Sequence, residues 1–175
     1  MGDDRRERFE LLYRSCGAEV LAYALRRSNH EMANDVCAET FVVAWRRLET
    51  VPDDPLPWLL GVARRKLSNA RRSDGRFEAL QIRLLQEPQR VGQGDALPVG
   101  AELVLAELRR LPERYREALL LVAWEGLTDT QAAQVLGCTP TAFRLRLHRA
   151  RKRLVRRLQT DQRCESVLTK PQETG

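Results

Sequence analysis

Two stretches of the chain are rich in cations and free of acid. Residues 141–157 hold eight cations, Arg144, Arg146, Arg149, Arg151, Lys152, Arg153, Arg156 and Arg157. Residues 58–73 hold five, Arg64, Arg65, Lys66, Arg71 and Arg72. Between Glu31 and Asp54 the sign reverses, with six acids against Arg46 and Arg47. Arginine supplies 27 of the 30 cations, and its planar fork bonds phosphates and guanine edges bidentately. This is chemistry for gripping a polyanion, with a separate acidic surface that suits a different partner.

Groups that break bonds are scarce. His30 and His148 are far apart in the chain, and neither a carboxylate cluster nor a glycine-rich phosphate loop is visible. Asp53 and Asp54 lie among prolines, where solvated turn residues belong. Cys16, Cys37, Cys138 and Cys164 form no CxxC pair, so they are expected as small hydrophobes rather than as zinc ligands or a disulfide scaffold. No enzyme, no metal and no cofactor is expected.

The chain has 175 residues, a net charge of +6 and a pI of about 9.6. Hydrophobic residues make up 43% and aromatics 6%, which allows an aliphatic core in one or two small domains. Residues 1–6 are polar, so no secretory leader is expected. The longest apolar run, residues 118–124, is far below the ~20 residues of a membrane span, so no membrane contact and a cytoplasmic location are expected.

The elements that must carry these charges read as helices, with no strand alternation. Apolar spacing predicts four helices in residues 3–73, including a break at Gly17. Three prolines in residues 52–57 predict a loop, and Trp58 is expected in the core of the helix that follows. Residues 76–100 lose periodicity and read as a linker. From Ala101 the stripes resume. Thr128 and Gln131 have capping-box spacing, Gly137 permits a sharp turn, and Thr139-Pro140 reads as a cap followed by a first-turn proline. Phe143, Leu147, Ala150, Leu154 and Leu158 then make one buried stripe. The expected fold is all-α, with two small helical domains: a four-helix domain over residues 1–75, a linker over 76–100, a helix-turn-helix domain over 101–159 and a flexible tail over 160–175.

In a helix-turn-helix the second helix enters the major groove with its early residues near base edges. Arg144, His148 and Arg151 share one helical face, and Arg146, Arg149 and Arg153 a neighbouring one. One set can lie over bases and the other over phosphates.

Several segments resemble a known family. Leu111-Pro112-Glu113-Arg114-Tyr115-Arg116-Glu117-Ala118, Gly126-Leu127-Thr128, Gly137 and Arg146-Leu147-His148-Arg149-Ala150-Arg151 resemble region four of bacterial sigma factors. Residues 33–48, from Ala33-Asn34-Asp35-Val36 to Trp45-Arg46-Arg47-Leu48, resemble region two, as does Pro57-Trp58-Leu59-Leu60-Gly61-Val62-Ala63-Arg64-Arg65. Both halves, in order and joined by a short linker, are similar to the extracytoplasmic-function subfamily.

The resemblance implies a subunit that binds the clamp and flap of RNA polymerase core, recognises −35 and −10 promoter elements and assists melting. It implies core contacts at Asp35, Glu39, Thr40, Phe41, Ala44 and Trp45. It implies −10 contacts at Arg64, Arg65, Lys66, Asn69, Arg71 and Arg72, and −35 contacts at Thr141, Arg144, Arg146, His148, Arg149, Arg151 and Lys152. It also implies an anti-sigma partner. Leu145 stands where the family commonly has serine, which implies an unusual −35 preference. The alternative is a stand-alone helix-turn-helix regulator, which would have no use for the acidic segment and second basic stripe in the first half.

Overall fold

The computed structural model describes residues 2–73 and 101–168. The expected linker over 76–100 lies outside the described residues. Among the described residues seven α-helices run α1 (Gly2–Leu25), α2 (His30–Arg46), α3 (Pro55–Ser73), α4 (Ala101–Arg110), α5 (Glu113–Ala123), α6 (Asp129–Leu136) and α7 (Pro140–Leu168). A 3-10 turn, Leu48–Thr50, follows α2. The described residues contain no strand.

The described residues of the first half, 2–73, differ from the expected four helices: they hold three, plus the 3-10 turn. Helix α1 passes straight through Gly17. Leu12, Cys16, Val20, Tyr23 and Ala24 are all buried and recur at helical spacing. Their shared stripe outweighs the roughly 0.5–1 kcal/mol that a helical glycine costs. Helix α2 starts where the Asn29 side chain accepts the Met32 N–H at 2.8 Å. Helix α3 starts at Pro55 and takes Pro57 into its first turn, where a missing N–H breaks no helical bond.

The second half follows its local signals. Thr128 and Gln131 form the capping box, with the Thr128 N–H donating to Gln131 Oε1 at 2.9 Å. Gly137 has φ of 64°, a left-handed value that favours glycine, and so turns the chain between α6 and α7. Thr139 Oγ1 accepts the Ala142 N–H at 3.2 Å, with Pro140 opening the helix. Phe143, Leu147 and Ala150 are buried, while Leu154 and Leu158 are half-buried. The backbone of α7 continues to Leu168, so a helix occupies much of the expected tail. Residues 160–168 contain no proline or glycine to stop it, and Thr160 Oγ1 bonds back to the Arg156 carbonyl at 2.9 Å.

Helices α1, α2 and α3 pack on one another, and α4, α5 and α6 each pack on α7. Between the halves α3 lies along α6. One cluster of buried side chains therefore runs from Leu59, Leu60 and Ala63 to Ala132, Ala133 and Val135. Gly61 sits at this crossing. A Cβ there would meet the backbone of Val135 at 3.7 Å, so only a very small residue allows the approach.

Candidate nucleic-acid interface

The buried stripe on α7 fixes which way its other residues point. With Phe143, Leu147 and Ala150 turned inward, the outward face carries Thr141, Arg144, His148, Arg149, Arg151 and Lys152, all exposed. Arg146 lies toward the flank and is half-buried. Arg153 is drawn aside, its guanidinium 4.8 Å from the centre of the buried Tyr115 ring. Arg157 reaches Glu107, which is buried on α4 and also held by Arg110, so α4 is tied to the distal part of α7. The arrangement is a continuous helix with a cationic outer face, its first turns set by the Gly137 corner.

The stripe on α3 is placed differently. Arg65, Asn69 and Arg72 are exposed. The side chain of Arg71 lies outside the described residues. Arg64 turns toward the other half: its Nε donates to Glu117 Oε1 at 2.7 Å and its second nitrogen to Oε2 at 3.2 Å. That bidentate bond pushes the Arg64 pKa up from its ordinary value. Lys66 pairs with Glu39 at 2.7 Å, joining the basic helix to the acidic ridge on α2. Trp58 is half-buried and packs against the core, as expected.

The ridge on α2 divides into two faces. Asp35 and Glu39 are exposed and Trp45 is 40% exposed. Thr40, Phe41 and Ala44 are buried, and the Thr40 hydroxyl donates to the Val36 carbonyl at 2.7 Å. The three support the ridge from within rather than lining its surface. Aromatic edges connect the two faces: Phe9 lies 5.2 Å from Trp45 and 6.2 Å from Phe41 between ring centres. Arg5 covers the outer side of Trp45, stacked at 5.1 Å and bonded to its carbonyl at 2.8 Å.

Beyond these residues, the junction between the halves contains a charged cluster that composition did not single out. The side chain of Glu125, only 6% exposed, is enclosed by Arg26 and Arg27, with Arg27 at 3.0 Å. Arg27 also stacks 3.6 Å from the centre of the Tyr23 ring. Burial pushes the Tyr23 pKa up to about 12, and its hydroxyl has no hydrogen-bond partner among the described residues. Gln131 adds a tie at the edge: while its Oε1 serves the capping box, its Nε2 donates to Asp54 at 2.8 Å. No spacing rule read along the sequence could have found this cluster, because Glu125 lies in the other half of the chain from Arg26 and Arg27.

Among the described residues, no group of three or more potential ligands could hold a metal ion, and no helix is long and apolar enough to cross a membrane.

Residues 12–77 match the family described as Sigma-70 region 2, and residues 101–154 the family described as Sigma-70, region 4. The chain is 34% identical over 147 residues to "Probable RNA polymerase sigma factor RfaY" of Xanthomonas campestris pv. campestris, covering 78% of this chain and 37% of that protein. It is 30% identical over 152 residues to "ECF RNA polymerase sigma factor EcfG" of Rhodopseudomonas palustris, covering 80% of this chain and 79% of that one. Its fold is similar to CnrH solved in complex with the cytosolic domain of CnrY, with a TM-score of 0.60 and 28% identity over 87% of this chain and 88% of that one. A stand-alone helix-turn-helix regulator would account for the second match and leave the first without a purpose. With both regions present in order, over helices that pack as in a solved relative, the chain belongs to the extracytoplasmic-function group of sigma-70-type RNA polymerase sigma factors.

Proposed function

We propose that this sigma factor docks on polymerase core through the exposed side of α2 and reads promoter DNA with α7 at −35 and α3 at −10. It acts by positioning and not by catalysis, in the cytoplasm where polymerase and chromosome meet. The polymerase surfaces are the clamp for α2 and the flap for the second half. The observation that carries this reading is the outer face of α7, where six DNA-contact candidates are exposed together and no acid lies between residues 141 and 157. Such a face neutralises phosphates and releases counterions, and its leading turns reach base edges.

Region two supplies the second grip. Melting costs base stacking, which is recovered when the extruded strand is held beside cations. Arg65, Asn69 and Arg72 are already exposed for this, while Arg64 and Lys66 are engaged by Glu117 and Glu39. In this reading α3 gains two further cations when those ion pairs open. CnrH was solved with CnrY bound, and an anti-sigma partner for this chain is part of the same proposal.

The test is footprinting of reconstituted holoenzyme on promoters selected from random DNA. Protection at −35 and −10 with core, and no run-off transcript without it, is the expected result. Arg144→Ala with Arg149→Ala should remove the −35 protection while leaving core binding in place. Retention of the full footprint by that pair would overturn the assignment of α7.

A further inference from the structure

We propose that Leu145 reads the C5-methyl group of a thymine in the −35 element, making it a specificity residue of this chain. The inference rests on the assignment of α7 to DNA given above.

Leu145 is 50% exposed and stands outside the buried core cluster. It lies two residues from Phe143 and two from Leu147, both buried, so at 100° per residue it points almost directly away from the core. Thr141, His148 and Lys152 share that outward direction at intervals of four, three and four residues, and all are exposed. Leu145 thus sits at the centre of the face, in the second turn after the Gly137 corner, with cations around it. A single exposed leucine on an ordinary surface means little. Here it occupies the part of a helix-turn-helix that approaches base edges.

The chemistry of the groove then narrows its partner. Guanine, adenine and cytosine present hydrogen-bonding groups on the major-groove floor, and thymine alone adds an apolar one, the methyl. A leucine against the other three would remove water from donors or acceptors and give nothing back. The same side chain therefore favours thymine and penalises its competitors.

The experiment uses the full chain assembled with core polymerase, and −35 sequences selected from random DNA. Selection should fix one thymine. Replacing it with deoxyuridine, which lacks only the methyl, should weaken binding about fourfold, the equivalent of about 0.8 kcal/mol for one buried carbon. Leu145→Ala and Leu145→Ser should bring that ratio close to one, while preferences at other positions persist. Arg144→Ala and Arg149→Ala serve as the control that α7 is on the DNA.

If those arginine variants weaken binding but wild type treats thymine and deoxyuridine alike, the proposal for Leu145 fails and the −35 assignment stands. The proposal fails in the same way if no thymine is selected, or if Leu145→Ala keeps the discrimination. Loss of core or partner-protein binding in Leu145→Ala, with the thymine ratio unchanged, would mark Leu145 as a protein contact and overturn it. If the arginine variants change neither affinity nor salt dependence, the −35 assignment and the leucine reading fall together.

Discussion

Arg64 and Glu117 form a two-pronged ion pair between α3 and α5, with 2.7 Å separating Arg64 Nε from Glu117 Oε1. The residues stand far apart in sequence, one in each half of the chain. The arginine is 34% exposed and the glutamate 14%, so the pair is neither a loose surface bridge nor fully dry.

Glu117→Gln keeps the shape of the side chain and removes its charge. Stability should fall by about 1–2 kcal/mol, between the values typical of exposed and buried pairs. Urea unfolding of Glu117→Gln, Arg64→Ala and the double variant checks it. The double variant should be more stable than the sum of the single losses predicts, by at least about 0.5 kcal/mol. Full additivity would mean that the two groups do not act together.

The outer face of α7 makes a prediction about salt. Each duplex phosphate that the protein no longer neutralises lowers the slope of log affinity against log salt by about 0.9. Arg149→Ala with Lys152→Ala should lower it by about 1.8 and weaken binding to all promoters alike. Holoenzyme titrations at several potassium chloride concentrations measure this. An unchanged slope would show that neither residue pairs with a phosphate.

Tyr23 predicts a loss of stability in alkali. Burial raises its folded pKa to about 12, above the unfolded value of about 10. The folded state therefore holds the proton more tightly. Its contribution is fully present below pH 10 and is lost between pH 10 and 12, by roughly 2–3 kcal/mol in the limit. Tyr23→Phe should flatten that part of the profile. Because the hydroxyl is buried with no partner among the described residues, the same variant should be neutral or up to about 1 kcal/mol more stable at pH 7. A loss of about 2 kcal/mol or more at pH 7 would contradict this account.

Gly61 distinguishes helix propensity from packing. Alanine there places its methyl at ordinary contact distance from Val135, so Gly61→Ala should gain up to about 1 kcal/mol from propensity. Gly61→Leu must push α3 and α6 apart and should cost at least about 1–3 kcal/mol. Thermal unfolding of the two variants should give shifts of opposite sign.

What could be read in the sequence was what is encoded locally. Thr128 with Gln131, Gly137, and Thr139 with Pro140 each act within four residues, and each appears in the structure as read. The Phe143 stripe is equally local, and it fixed the outward direction of the cationic residues. Gly17 misled because a single glycine costs less than the buried stripe around it contributes. Phe41 and Trp45 looked alike in sequence, yet one is buried and the other 40% exposed, since helical phase alone does not say how wide the buried face is. Glu117 and Glu125 lay beyond reach because their partners come from the other half, and no spacing rule links residues so far apart.

The side-chain amide of Gln131 is bonded at both ends. Its oxygen takes the Thr128 N–H at the head of α6, while its nitrogen holds Asp54 in the loop before α3. The two bonds use different atoms, so the second can be released without touching the first. This tie at the edge of the junction is therefore independent of the cap: losing the Asp54 bond leaves the buried cluster and the Arg64–Glu117 pair to hold the halves, and the helix-turn-helix keeps its own opening turn closed.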